Sequence, residues 1–393
     1  MKYNFDKIID RSNNFAAKYD EREKKFGTSN VIPLWIADME FEVAKPINDA
    51  ILSRAEQGIY GYTSRPASYY EAFCDWEKTR NNWIVNKDLI SFSPGVVPSL
   101  SVIIREFSNS EDKILIQTPV YPEFYEIIES WGRVVIENQL LEQNGVYSMD
   151  FKDFEEKLKQ KPKLFILCSP HNPVGRVWSR EELEQISSLC LRYNVMIISD
   201  EIHSDLILWD NKHIPTASVS KEVSDKTITC TSCTKTFNLA GLQASVVIFP
   251  NACVKETFDV FWRGMDIHRN NCFSLVAVEA AYRHGGEWLE QLIPYIEGNI
   301  NFIRDFCGLN IPKISPTIPE STYLVWLDCR KLELGNDELK EFMVNEAGLG
   351  LNAGNDFCRN LSGYMRLNAA CPRSTLEKAL LQLEKAVNSL NKD

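Results

Sequence analysis

Val195-Met196-Ile197-Ile198-Ser199-Asp200-Glu201-Ile202-His203 reads as a strand that is apolar on both parities and stops at two acids. A strand with one wet face alternates. A strand that does not alternate is covered on both sides, as in a parallel sheet flanked by helices. The surrounding sequence repeats this pattern. Lys113–Gln117, Arg133–Glu137, Lys163–Cys168, Thr227–Thr231 and Ser245–Phe249 are the other strands expected here. Helices with clear punctuation separate them. Pro122 opens one whose apolar face is Phe124, Ile127, Ile128 and Trp131, and Gly132 ends it. Ser179 and Glu182 form a capping box ahead of Leu183, Ile186, Leu189 and Tyr193. Strands alternating with helices imply βαβ units, hence an α/β fold with a large, doubly wound, mostly parallel sheet.

Beyond about residue 285 the grammar changes. Helices are expected near Trp288–Phe306 and Asn336–Glu346, strands at Thr322–Leu327 and Tyr364–Leu367, and a closing helix from Ser374. This predicts a smaller α+β domain over 286–393, a large domain over 48–285, and an N-terminal segment, 1–47, that joins the small one. A chain of 393 residues suits two such domains.

Composition narrows the function classes. Apolar residues make up 44% and charged residues 25%, which is ordinary for a globular protein, and the formal net charge is −11. That balance argues against nucleic-acid binding, which needs a basic face. No apolar run reaches the roughly 18–20 residues that span a bilayer. The opening MKYNFDKIIDR carries charges where a signal peptide has its apolar core, so a cytoplasmic location and no membrane partner are expected. The eleven cysteines are scattered. Cys230 and Cys233 have C-x-x-C spacing, but a zinc site needs a second ligand pair, so these are read as structural and no metal is expected.

Chemistry concentrates where strands end. Ser232-Cys233-Thr234-Lys235-Thr236-Phe237-Asn238-Leu239-Ala240-Gly241-Leu242 starts where the strand Thr227–Thr231 stops. A lysine flanked by hydroxyls at such a point is well placed for a Schiff base beside a bound phosphate. Ligands of open α/β sheets lie at the carboxyl ends of the strands, so Asp200 points toward the same place. Ser169-Pro170-His171-Asn172-Pro173-Val174-Gly175 follows another strand with the turn chemistry of a tight loop.

These stretches, in this order, resemble the fold-type I family of pyridoxal-phosphate enzymes, the class I/II aminotransferase-like group. Within it the chain is most similar to the MalY/PatB branch of cystathionine β-lyases and cysteine-S-conjugate lyases. The resemblance spans the chain. It includes FDKIIDR, Trp35-Ile36-Ala37-Asp38-Met39, Gly58-Ile59-Tyr60-Gly61-Tyr62, DEIHSD, SCTKTFNLAGLQ and Arg366-Leu367-Asn368-Ala369-Ala370-Cys371-Pro372-Arg373.

The resemblance implies pyridoxal 5′-phosphate as cofactor, held covalently by Lys235. Asp200 would pair with the ring nitrogen, Asn172 would bond the phenolic oxygen, and Tyr121 would stack on the ring. The N–H groups of Val96 and Val97, in Ser93-Pro94-Gly95-Val96-Val97-Pro98, could cradle the phosphate with a helix dipole behind them, and Ser232 and Thr234 would add hydroxyls. Tyr62 matches a tyrosine that reaches the phosphate from the neighbouring subunit, which implies a homodimer with shared active sites. Arg366 matches the arginine that clamps the substrate α-carboxylate, and Asn172 would also face the substrate. His203 follows the β-lyase pattern and is read as packing near Asp200. One position departs from many aminotransferases of this fold. They carry an arginine eight residues after the lysine, where Gln243 stands here, as is common among the β-lyases.

The implied activity is β-elimination from L-cystathionine or a related cysteine S-conjugate, giving a thiol, pyruvate and ammonia from a small amino-acid substrate. An aminotransferase would use the same residues. A regulatory protein that binds a transcription factor is a third possibility carried by the branch.

Overall fold

The computed structural model describes residues 1–390. Seven strands form one sheet: β1 (Ile90–Ser93), β2 (Lys113–Thr118), β3 (Val134–Gln139), β4 (Leu164–Cys168), β5 (Met196–Asp200), β6 (Thr227–Thr231) and β7 (Ser245–Ile248), in the spatial order β1-β7-β6-β5-β4-β2-β3. All neighbours pair in parallel except β7, which is antiparallel to both β6 and β1. Strand β1 is the one member of this sheet that the sequence pattern did not show. It is four residues, Ile-Ser-Phe-Ser, and reads as an alternating segment too short to stand out.

The sheet is covered on both faces. Along β4, Leu164, Ile166 and Cys168 pack into one apolar layer while Phe165 and Leu167 pack into the other. The first layer is closed by α1 (Val96–Phe107) and α2 (Glu123–Ser130), the second by α3 (Arg180–Arg192). Burying each such Leu, Ile or Phe contributes about 1.5–3 kcal/mol, and a one-residue slip would turn every one of them to the wrong layer. The capping box at α3 is present in full: Glu182 N–H donates to the Ser179 hydroxyl at 3.2 Å, and Ser179 N–H donates to the Glu182 carboxylate at 2.8 Å.

A second sheet runs β8 (Ser315–Pro316), β9 (Leu324–Asp328), β11 (Tyr364–Asn368), β10 (Asn352–Ala353), all antiparallel. It packs with α4 (Gly286–Asn310) and α5 (Arg373–Leu390). The helix expected at Asn336–Glu346 divides into an α-helix, Asn336–Glu341, and a π-turn, Phe342–Glu346. From the N-terminal segment, Ile32–Pro33 pairs in parallel with Leu349–Gly350. Among the described residues no helix is long and apolar enough to cross a membrane. Cys230 and Cys233 are free, buried thiols.

Candidate active site

Parallel pairing brings the strand ends into line. Cys168 lies opposite Asp200, and Asp200 opposite Cys230. Just beyond them opens a cleft of about 200 Å³, lined by Val96, Val97, Tyr121, Asn172, Asp200, His203, Thr234, Lys235 and Gln243, among others. Eight of the residues singled out from the sequence as site residues therefore meet on one wall. Ser232 stands one step back. Its side chain accepts the Thr234 N–H at 3.1 Å, and its hydroxyl donates to the Ala244 carbonyl at 2.6 Å, which holds the turn into the helix Cys233–Thr236. Tyr62 is not on the wall. It is 97% exposed, beside exposed Ile59 and Tyr60.

The floor of the cleft is electrically unusual. Asp200 is buried and accepts the Ile202 N–H at 3.1 Å, and burial pushes its carboxyl up to about 7. Burial pushes the Lys235 ammonium down to about 8, with the Arg366 charge adding to the effect. Its Nζ donates to the Ala37 carbonyl at 2.6 Å. His203 is buried and driven down to about 3, so its ring is neutral. At the end of the cleft α1 begins. Val96 and Val97 are its first two residues, whose N–H groups have no partner within the helix, and Pro98 has no N–H at all.

Arg366 borders the cleft through Asn172, whose Oδ1 accepts from Nη1 at 3.1 Å. Its Nη2 donates to the Trp35 carbonyl (3.0 Å) and to Asn352 Oδ1 (2.9 Å), and Nε has no partner. None of these acceptors is a carboxylate. A guanidinium only 4% exposed and with no carboxylate in hydrogen-bond contact is costly, and burial lowers its pKa to about 10, although Glu123 and Asp356 act at longer range to raise it. Alternation along β11 explains the placement: Arg366 and Asn368 share one face, while Met365 and Leu367 face the core.

Several contributors escaped the sequence reading. Tyr323 donates to the same Ala37 carbonyl as Lys235, at 2.9 Å. Glu123, the first residue of α2, lies two residues from Tyr121, and burial raises its carboxyl. Asn368 and Asn238 hold the backbone around Ala37. Their signal was there to be read, since each follows a site cation by two or three residues, in Arg366-Leu367-Asn368 and Lys235-Thr236-Phe237-Asn238. Nearby, Lys18 is fully buried between Asp38 (3.1 Å) and Glu40 (2.8 Å), with Arg11 on the same two acids at 3.2 and 3.1 Å.

The family model for aminotransferase class I and II matches residues 29–383. The chain belongs to that family. It is 41% identical over 386 residues to cystathionine β-lyase PatB of Bacillus subtilis (strain 168), covering 98% of this chain and all of that one. Among solved structures, a PLP-bound protein of Clostridium difficile 630, named provisionally as an aminotransferase, superposes with a TM-score of 0.97 at 49% identity, over 98% of this chain and 100% of the other. The PLP-bound C-S lyase of Staphylococcus hominis gives 0.92 at 33% identity, covering 98% of each. The fold is thus the fold-type I arrangement expected from the sequence.

Proposed function

We propose that this protein is a pyridoxal-phosphate-dependent carbon–sulfur β-lyase that converts L-cystathionine or a related cysteine S-conjugate, with water, into a thiol, pyruvate and ammonia. The observation that carries the reading is Arg366, a buried guanidinium with no acid in hydrogen-bond contact, held on a backbone carbonyl two residues from the one that receives a lysine of lowered pKa. An α-amino acid supplies what both lack: a carboxylate for the first and a carbon acid for the second. The relatives named as lyases supply the reaction class.

The residues present suit the cofactor. Asp200 is a buried acid with no cation paired to it, Val96 and Val97 offer free N–H groups at a helix start, and Lys235 rests on a carbonyl alone. When bound, the cofactor supplies an electron sink for the pair left after loss of the Cα proton. Asp200 would keep a proton on the ring nitrogen. Tyr121 would cover the ring face. Val96, Val97 and Thr234 would hold the phosphate, while Ser232, expected to add a hydroxyl, instead holds the turn that presents Thr234. Asn172 presents its amide to the phenolic oxygen while its Oδ1 orients Arg366, which takes the substrate carboxylate in a planar fork. Lys235 would hold the cofactor and would be the base that takes the Cα proton. His203, neutral and buried, packs beside Asp200 without exchanging a proton.

Tyr62 serves the partner subunit's site, which makes a homodimer the smallest active unit. Its near-complete exposure and its absence from the lining of its own cleft support this. Mixing inactive Tyr62 and Lys235 variants should restore activity through hybrid dimers, and no recovery despite confirmed subunit exchange would overturn the assignment.

The deciding experiment incubates the protein with L-cystathionine and measures pyruvate and free thiol, with and without an added oxo-acid. Steady release without the oxo-acid is expected. Turnover that stops after one cofactor equivalent and resumes only with 2-oxoglutarate would instead identify an aminotransferase.

A further inference from the structure

The backbone of residues 34–41 is held at nearly every step. Asn368 N–H donates to the Leu34 carbonyl at 2.9 Å. The Trp35 carbonyl accepts from Arg366, and the Ala37 carbonyl from Lys235 and Tyr323. The carbonyls on either side of Ala37, those of Ile36 and Asp38, both accept from the Asn368 amide at 2.7 Å. Asn238 takes the rest: it accepts the Met39 N–H at 2.9 Å and donates to the carbonyls of Met39 (3.0 Å) and Phe41 (3.1 Å). One ribbon therefore carries both cations of the cleft, although Lys235 follows the seven-stranded sheet and Arg366 belongs to the four-stranded one.

Asn368 is the member with no slack. It is 1% exposed, both amide hydrogens are spent on the ribbon, and its Oδ1 accepts the Ala370 N–H at 2.8 Å. Both donor hydrogens are used and the oxygen has its partner. A carboxylate in its place would set lone pairs against two carbonyls.

We infer that Asn368 is a positioning residue: by gripping the carbonyls of Ile36 and Asp38 it fixes the ribbon against which Arg366 and Lys235 rest, and so sets the spacing between the carboxylate clamp and the catalytic nitrogen. The inference rests on the roles assigned to those two residues above. A substrate clamped at Arg366 and deprotonated by Lys235 feels the spacing, whereas a ligand that only binds at Arg366 does not. A misplacement of the order of 1 Å at reacting groups costs up to about 10²-fold in rate.

The test compares a two-point substrate, S-methyl-L-cysteine, with 3-(methylthio)propionate, the same skeleton without the amine. For Asn368→Ala we expect kcat/KM for S-methyl-L-cysteine to fall by ~10–10²-fold. The inhibition constant of 3-(methylthio)propionate and the cofactor dissociation constant, measured by fluorescence titration, should stay within about twofold, since neither depends on the spacing. Asn368→Ser, which keeps one donor, should fall between and guards against a poorly folded alanine variant. Equal weakening of both ligands would show that Asn368 supports Arg366 alone. A drop in melting temperature with kcat/KM unchanged would make its role structural. Either result overturns the inference. Wild-type protein that releases no pyruvate from S-methyl-L-cysteine or L-cystathionine would sink the lyase reading instead, and the two failures are therefore distinct.

Discussion

The two sides of the cleft are built by different means. On the side of the seven-stranded sheet, chemistry is delivered by side chains at strand and helix ends: Asp200 closes β5, Lys235 follows β6 by four residues, and Val96 opens α1. On the side of the four-stranded sheet, much of the work falls to backbone carbonyls of residues 35 and 37, which receive Arg366 and Lys235. The first side depends on residue identity, the second on where a ribbon lies. Substitution should therefore act on them differently, by deletion of a function on one side and by misalignment on the other.

The most severe break comes from the first side. Lys235→Ala should abolish turnover, a loss at the upper end of the ~10²–10⁴-fold range for a general base, compounded by loss of the covalent link. Yellow absorbance of the loaded protein should vanish too. A borohydride-reducible cofactor bond surviving in that variant would show that another residue holds the cofactor.

Arg366→Ala should cost less and act elsewhere. Losing a buried, hydrogen-bonded partner of a charge costs roughly 2–5 kcal/mol, about 30- to 5,000-fold in kcat/KM, expressed mainly in KM. Cofactor affinity should be retained. Because the guanidinium has no ion-pair contact to lose, melting temperature should hold or rise. An unchanged KM would place this arginine outside substrate contact, and a collapse of stability would make it a structural tie.

The same contrast explains what could be read in advance. Six strands of the large sheet, the capping box at Ser179 and the strand-end positions of Asp200 and Lys235 were legible because burial on both faces, capping and strand-end position all leave residue-type signatures, whereas Asn172 took its role from the family resemblance. Ala37 was not legible, since every residue carries a carbonyl and nothing in its side chain says that two donors converge on it. The opposed direction of β7 was hidden for a related reason, as strand polarity is a property of the connection and leaves the apolar pattern unchanged. Asn368 lay in between. Its distance of two residues from Arg366 put both on one face of a strand, but only the fold shows what that face meets.

Asp200 allows a gentler test on the first side. Its folded pKa, about 7, lies above the ordinary carboxylate value, so the folded, cofactor-free protein binds this proton more tightly than the unfolded chain. The contribution of this group to stability is therefore present at low pH and is lost as pH rises from about 4 through 7. Asp200→Asn should remove that dependence. In melts of unloaded protein the variant should gain on the wild type at pH 8 and not at pH 4, and identical pH profiles would show that Asp200 is solvated rather than buried.

The smallest effect joins the two sides. Attack on the cofactor aldehyde requires a neutral amine, and Lys235 is held near 8, first by burial and then by the positive field of Arg366. Covalent capture of pyridoxal phosphate by unloaded protein, followed by absorbance, should therefore speed up as pH rises and level off above about 8. Arg366→Gln removes a like charge while leaving the burial unchanged, so the lysine should hold its proton to higher pH and the midpoint should move up. The shift should be modest, since burial is the larger cause. It also discriminates. If Arg366 influenced Lys235 only through the shared ribbon, moving the carbonyls would change the rate at every pH and leave the midpoint in place. A displaced midpoint with an unchanged plateau is the signature of charge acting across the cleft, and a fixed midpoint would separate the two halves electrostatically.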